Sequence, residues 1–185
     1  MSRLFINTAP FCPVHICYNN ISKSARAQLD LIQKSALFHH KDKLPISGSV
    51  SLMKKSEIIN LISLAQKARK NSYSPYSGFA VGAAILAASG KIYTGTNCES
   101  ASYGATVCAE RAALTAAVSA GERRFTAIAV AAGQKPTPPC GICRQLLAEF
   151  GEMTVICAAA DGDGHIETTL SKLLPDAFTN NDLKG

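Results

Sequence analysis

The alanine-rich stretch Cys108-Ala-Glu-Arg-Ala-Ala-Leu-Thr-Ala-Ala-Val-Ser-Ala120, closed by Gly121, predicts a helix with a cysteine at its start. A second pair of cysteines, in Pro139-Cys140-Gly-Ile-Cys143, opens another predicted helix that runs to residue 150. A near-continuous apolar strand, 126–132, separates the two helices. The chain around the cysteines therefore alternates helix and strand, which is typical of an α/β domain.

The segments on either side extend this pattern. Residues 56–71 predict a first helix with basic residues in its last turn, and residues 79–88 and 91–96 predict a hairpin of two strands. Residues 154–160 predict a further buried strand, and we place His165 after it in a loop. Together these elements predict an α/β sandwich in which helices cover a mixed sheet whose later strands are parallel.

The composition is that of a globular protein with few charges. Of the 185 residues, 47% are hydrophobic and 17% are charged, which argues against disorder as the main state. The net charge is +6, but residues 53–185 hold thirteen Lys and Arg against eleven Asp and Glu. This nearly neutral part speaks against a nucleic-acid partner. No apolar run approaches the roughly 18 residues of a membrane span, so we expect no membrane partner either.

Residues 1–52 show no sustained periodicity, and we interpret them as an appended N-terminal segment that is poorly ordered or precedes a true start at Met53. Residues 53–185 are then the main folded domain. Seven cysteines without the even framework of a small secreted protein indicate a reducing compartment. We expect a cytoplasmic location, with organelle import directed by residues 1–52 as the alternative.

Three cysteines of the two motifs, Cys108, Cys140 and Cys143, are candidate zinc ligands. Each motif opens a predicted helix, where free backbone N–H groups and the helix dipole favour a thiolate. Three protein ligands leave one position of a tetrahedral zinc open for water, as in a catalytic site, whereas a structural site closes all four. The alternatives are a structural zinc site completed by Cys98 or Cys157, or buried thiols without a metal.

Glu110 is the candidate catalytic residue. It lies two residues beyond Cys108, so it can face a zinc-bound water without being a ligand. Zinc lowers the pKa of bound water to near 7, and a nearby carboxylate can accept that proton and return it to a leaving group. Hydrolytic removal of an amine needs both acts.

These motifs resemble the cytidine deaminase family, whose signature is a ligand, one residue and Glu, followed by Pro-Cys-x-x-Cys. The resemblance covers residues 53–180 and includes Ser74-Pro-Tyr-Ser-Gly-Phe-Ala-Val-Gly-Ala-Ala84, Asn97-Cys-Glu-Ser-Ala-Ser-Tyr103 and Leu173-Leu-Pro-Asp-Ala-Phe178. It implies a three-layer α/β sandwich, with a mixed five-stranded sheet and helices on both faces, and one zinc ion per chain. The implied reaction is hydrolysis of cytidine and deoxycytidine to uridine and deoxyuridine with release of ammonia, in pyrimidine salvage.

The resemblance also implies which residues bind a nucleoside. Asn97 and Glu99 would hydrogen-bond a ribose hydroxyl, and the Ala109 backbone N–H would bind the pyrimidine carbonyl oxygen. Ala101 and Tyr103 would line the same loop. Two polar groups placed for a sugar hydroxyl would discriminate strongly against an analogue that lacks it.

Stacking and assembly are implied in the same way. Phe79 and, from a neighbouring subunit, Phe178 would stack on the base, at about 1–3 kcal/mol per stacked base. The chain looks like the short branch with three cysteine ligands, which is similar to homotetramers with shared active sites. In that branch Arg111 would hydrogen-bond the ligand sulfurs, and Gln145 would be a further partner of the centre.

Two other functions remain open at this point. One is a deaminase for a different substrate: a blasticidin-type nucleoside antibiotic, a nucleotide or RNA. Cys108, where polynucleotide and deoxycytidylate deaminases usually have His, argues against part of that group. The other is a catalytically silent, zinc-folded interaction module, against which the intact Glu110 argues.

Overall fold

The computed structural model describes residues 53–184. The predicted appended segment, 1–52, lies outside the described residues, and the boundary at residue 53 stays a prediction. The elements are α1 (Lys55–Arg69), β1 (Val81–Ala87), β2 (Ile92–Thr96), α2 (Ala109–Ser119), β3 (Phe125–Ala132), α3 (Gly141–Ala148), β4 (Thr154–Ala158), β5 (His165–Thr169) and α4 (Leu170–Leu173). Within this range, no helix combines the length and apolar character needed to cross a bilayer.

The five strands form one mixed sheet in the order β2-β1-β3-β4-β5. β3 and β4 are parallel neighbours, while the other neighbouring pairs are antiparallel. Parallel neighbours need a crossover connection, and α3 supplies it here. The predicted metal-ligand motif, 139–143, therefore lies where the chain leaves the carboxyl end of β3 to begin that crossover.

The placement of His165 in a loop is wrong, since His165 is the first residue of β5 and pairs with Ala158 of β4. The strand escapes sequence analysis because it is short and lies at the sheet edge, where most of its residues are exposed. The Asp-Gly-Asp-Gly sequence at 161–164 is the signal that predicts a hairpin here. The parallel arrangement expected of the later strands holds for β3 and β4 only, because β5 runs antiparallel to β4.

Helices cover both faces of the sheet, which confirms the predicted three-layer sandwich. On one face, α1 packs through Ile58, Leu61 and Ile62 against small residues. These small residues of the sheet are Ala84, Ala127, Ala129, Ala131 and Ala158. On the other face, α2 and α3 bury a second cluster that includes Ala113, Leu114, Ile85, Ile128, Val130 and Leu147. Each buried leucine or isoleucine stabilises the fold by about 1.5–3 kcal/mol.

Two glycines allow the helices to lie directly on the sheet backbone. A Cβ atom at Gly95 in β2 would overlap backbone atoms of Ala109 and Ala113 in α2. A Cβ atom at Gly82 in β1 would likewise overlap the Ala65 carbonyl of α1. Backbone atoms of a packed helix cannot move aside singly, so the absence of a side chain sets how closely each helix approaches.

We expect Gly95→Ala to lower the free energy of unfolding by about 1–3 kcal/mol, because the added methyl group pushes α2 away from β2. Gly104→Ala is the matched control, since a Cβ atom there has no heavy atom within 4 Å. Urea denaturation followed by circular dichroism measures both. An unfolding midpoint for Gly95→Ala equal to that of the wild type would show that the packing of α2 on β2 does not depend on the missing side chain at residue 95.

Candidate metal centre

The three predicted ligands meet in space. The Cys108 Sγ lies 3.9 Å from the Cys140 Sγ, which lies 3.5 Å from the Cys143 Sγ. Cys108 directly precedes α2 and Cys140 directly precedes α3, so two helix N-termini converge on the cluster. All three are free thiols within 4.8 Å of one another.

This spacing fits zinc. With Zn–S bonds of about 2.3 Å, two sulfurs of a tetrahedral site lie about 3.8 Å apart, close to the Cys108–Cys140 and Cys140–Cys143 distances. Within residues 53–184, Cys98 and Cys157 do not join the group of three. A closed four-cysteine structural site is therefore not formed in this part of the chain, and the donor set leaves one position open.

The thiols ionise unevenly in the protein alone. Burial, followed by the charge of Glu110, raises the pKa of Cys143 well above its ordinary value. Burial and the neighbouring Cys140 raise the pKa of Cys108. Burial opposes ionisation of Cys140 too, but hydrogen bonds from the Cys143 backbone and from both other thiols outweigh it and lower its pKa. Ionisation of all three thiols at the same time therefore requires a cation between them.

Glu110 is the second residue of α2 and is only 4% exposed. Burial raises the pKa of its carboxyl group, against the lowering effects of its own backbone N–H, the Cys143 thiol and the charge of Arg111. A carboxylate that is buried beside three sulfurs, and that lies outside the group of ligand atoms, is suited to carrying protons. Ala109, between Cys108 and Glu110, is fully buried at the first position of the helix, where the backbone N–H has no acceptor within the helix.

The two residues implied to support the metal ligands both donate hydrogen bonds to backbone carbonyls. Arg111 donates through Nη2 to the Thr106 carbonyl, and its buried Nε has no partner among the described residues. Gln145 donates through Nε2 to the Phe178 carbonyl at 2.6 Å. The implied contact of Arg111 with the ligand sulfurs stays a prediction, and so does the implied role of Gln145 as a further partner of the centre.

Asn97 is buried and organises the loop that carries Phe79. Its Oδ1 accepts hydrogen bonds from the Ser72 hydroxyl at 2.6 Å and the Val81 N–H at 2.9 Å. Its Nδ2 donates to the Phe79 carbonyl at 2.9 Å. One Nδ2 hydrogen remains for a ligand, so the side chain can position the loop and still donate a hydrogen bond.

Glu99 is held by the same loop. Its Oε2 accepts from the backbone N–H groups of Tyr76 and Ser77, at 2.9 and 3.2 Å, and its Oε1 accepts from the Ser77 hydroxyl. The Ser77 hydroxyl lowers the pKa of the carboxyl group most, desolvation opposes it, and the two N–H groups lower the pKa further, so the carboxyl group stays ionised. The carboxylate lines a groove of about 350 Å³ whose other lining residues are Tyr76, Ser77, Ser100, Tyr103 and Thr106.

The remaining predicted residues are accessible. Phe79 is half-exposed, Phe178 is 60% exposed and Tyr103, which packs edge-to-face on Tyr76, is 77% exposed. Ala101 is also exposed, in the segment between Asn97 and α2.

Sequence analysis missed the contacts of Ser72, Tyr76 and Ser77 with Asn97 and Glu99. The density of serines in the 72–78 loop is a weak signal for them, because serine hydroxyls and loop N–H groups are frequent partners of a carboxylate.

The fold and the centre together define an α/β enzyme with a candidate catalytic metal site. A family model described as the cytidine and deoxycytidylate deaminase zinc-binding region matches residues 55–159. The chain therefore belongs to the cytidine deaminase family, as the motifs predict.

Individual relatives agree with this membership. The cytidine deaminase of Sporosarcina psychrophila is 50% identical over 130 residues, which cover 69% of this chain and 95% of that protein. The probable cytidine deaminase of Dictyostelium discoideum is 44% identical over 133 residues, which cover 71% of this chain and 90% of that protein. The crystal structure of cytidine deaminase from Burkholderia pseudomallei has a TM-score of 0.62 at 44% identity, and the match covers 68% of this chain and 100% of that one. The similarity thus spans nearly the full length of short-chain relatives.

We expect one zinc ion per chain in the wild type and a strongly reduced zinc content in Cys143→Ser, measured by atomic emission on protein dialysed against buffer. Chelation is expected to lower the melting temperature by about 10 °C, because a metal that binds only the folded state stabilises it. Cys98→Ser, at an exposed thiol outside the cluster, is the control. Zinc retained by Cys143→Ser, or lost from Cys98→Ser, would contradict the assignment.

Proposed function

We propose that this protein performs the hydrolytic, zinc-dependent deamination of cytidine and deoxycytidine to uridine and deoxyuridine, with release of ammonia, in pyrimidine salvage. The observation that carries the proposal is the buried Glu110 carboxyl group two residues beyond Cys108, beside three thiols at zinc-ligand spacing. Membership of the cytidine deaminase family supports it. Neither the antibiotic deaminase nor the silent interaction module is favoured by these relatives.

Cys108, Cys140 and Cys143 would hold one zinc ion per chain. When bound, the ion supplies a water whose pKa is lowered to near 7, so that hydroxide is available at neutral pH. The short spacing of the thiols and the raised pKa values of two of them support this role, because a cation relieves the repulsion among the thiolates.

Glu110 carries the protons. Its carboxylate accepts a proton from the attacking water and delivers it to the ring nitrogen next to the amine-bearing carbon. It then takes the second proton from the new hydroxyl group on that carbon and passes it to the amine, which leaves as ammonia while the carbonyl of uridine forms. Burial, which raises the carboxyl pKa, favours a group that must hold a proton between two transfers.

The nucleoside is bound by groups around this centre. The Ala109 N–H, at the helix start, donates to the pyrimidine carbonyl oxygen, and Phe79 stacks on the base. The remaining Nδ2 hydrogen of Asn97 and the ionised carboxylate of Glu99 bind a ribose hydroxyl. Ala101 and Tyr103 line the sugar side.

The active form is a homotetramer in which Phe178 of one subunit reaches the site of its neighbour. Large apolar side chains that are exposed in a single chain support this assembly, since contact with a neighbouring subunit would remove them from water. Exposed around the site and the C-terminal segment are Tyr76, Tyr103, Ile142 and Phe178. The small net charge of residues 53–185 supports a free nucleoside substrate and no nucleic-acid partner, and the cysteine usage supports a cytoplasmic location.

Glu110→Gln is expected to keep its zinc and lose deamination by about 10²–10⁴-fold, because the amide cannot accept the proton of water. Loss of cytidine absorbance with ammonia release measures turnover, and metal analysis checks the centre. Glu149→Gln, an exposed residue after α3, serves as the charge-matched control. Near-normal turnover in Glu110→Gln would refute the assigned role, and turnover of cytidine monophosphate or a cytosine oligonucleotide in preference to cytidine would refute the substrate.

A further inference from the structure

The chain from the end of α4 to Phe178 is hydrogen-bonded to α3, the helix at whose start two of the candidate metal ligands lie. Gln145 Nε2 donates to the Phe178 carbonyl at 2.6 Å. The preceding residue, Arg144, donates through Nη1 to the Leu173 carbonyl at 2.8 Å and through Nε to the Pro139 carbonyl at 2.7 Å. Two consecutive side chains of α3 therefore hold both ends of the segment 173–178.

The same helix places the metal ligands. Cys140 directly precedes α3, Cys143 lies within it, and Gln145 follows two residues later. Pro139, whose carbonyl Arg144 holds, is the residue before the first ligand of this motif. One short helix thus fixes the backbone of the C-terminal segment relative to the metal centre.

A local turn holds the chain on the other side of Phe178. Asp182 Oδ2 accepts hydrogen bonds from the Thr179 N–H at 2.6 Å and the Thr179 hydroxyl at 3.0 Å. The Asp182 N–H donates to the Thr179 carbonyl at 3.0 Å. The backbone at residue 178 is therefore fastened from two sides, whereas the phenyl ring is 60% exposed and available to another molecule.

We propose that Gln145 is a positioning residue, which fixes the Phe178 backbone so that its ring meets the pyrimidine base bound at the neighbouring subunit's metal centre. This inference rests on the function proposed above. A stacked pair of rings tolerates little displacement. A hydrogen bond that fixes the Phe178 backbone should therefore increase the affinity for the substrate. Gln145 then acts through Phe178 and not through the charge or geometry of the zinc ligands.

The test removes the donor and keeps the size of the side chain. Gln145→Met is expected to raise the KM for cytidine about three- to tenfold, with kcat within about twofold and zinc content unchanged, because one hydrogen bond has been lost. Phe178→Ala is expected to raise KM by a larger factor, since it removes the stacking ring. In the Phe178→Ala background, Gln145→Met should change KM no further. Glu149→Gln, at the end of the same helix, is the control and should leave both constants unchanged.

Each other result counts against the inference. An unchanged KM in Gln145→Met overturns it, and so does an equal KM effect with and without the Phe178 ring. Loss of zinc or a large fall in kcat would instead assign Gln145 to the metal centre.

Hydrogen exchange at residues 174–180 tests the anchor without turnover. We expect faster exchange in Gln145→Met, and equal rates in both proteins would overturn the anchor. A wild type that binds zinc but turns over no nucleoside would overturn the proposed function and the stacking role with it, whereas an active wild type with an unaffected variant overturns this inference alone.

Discussion

The direct contact of α2 with the backbone of β2 at Gly95 is the constraint on which the site depends. Because no side chain separates them, the first turn of α2 lies against the sheet, where Ala109 and Glu110 are buried. The second helix of the centre, α3, is positioned differently, by the crossover between the parallel strands β3 and β4. The distances between the sulfurs are thus set by the sheet, which places both helix starts.

Most of the fold follows from patterns in the sequence. The hairpin, the alanine-rich helix ended by glycine and the two apolar strands β3 and β4 are all found close to their predicted bounds, since burial on both faces leaves a clear apolar run. The edge strand β5 lacks that burial, and its Ile166 is 58% exposed, so periodicity carries little information there. The Asp-Gly pairs at 161–164 carry more information about β5, because Asp-Gly is typical of a hairpin turn.

The candidate site likewise has one part that the sequence predicts and another that it does not. The clustering of the three cysteines beside Glu110 can be predicted, because it depends on local spacing at helix starts, which the sequence shows directly. The bonds of Asn97 to the 72–81 loop, and of Arg144 and Gln145 to carbonyl oxygens, depend on which distant backbone passes nearby. Such contacts follow from tertiary structure and not from residue type. Asn97 shows the difficulty well, because a side chain implied to bind sugar also fastens the loop that carries Phe79.

The alanines that face α1 have a consequence for how this sequence can change. In that layer the sheet contributes mainly alanines together with Ile156 of β4, while Ile58, Leu61 and Ile62 come from the helix. A larger residue in β3 or β4 could be accommodated only by a smaller one in α1, since packed interiors have little spare space. The volumes of the two partners are therefore coupled. Drift in this layer must proceed by paired substitutions across the helix–sheet boundary, although none of these residues touches the metal centre.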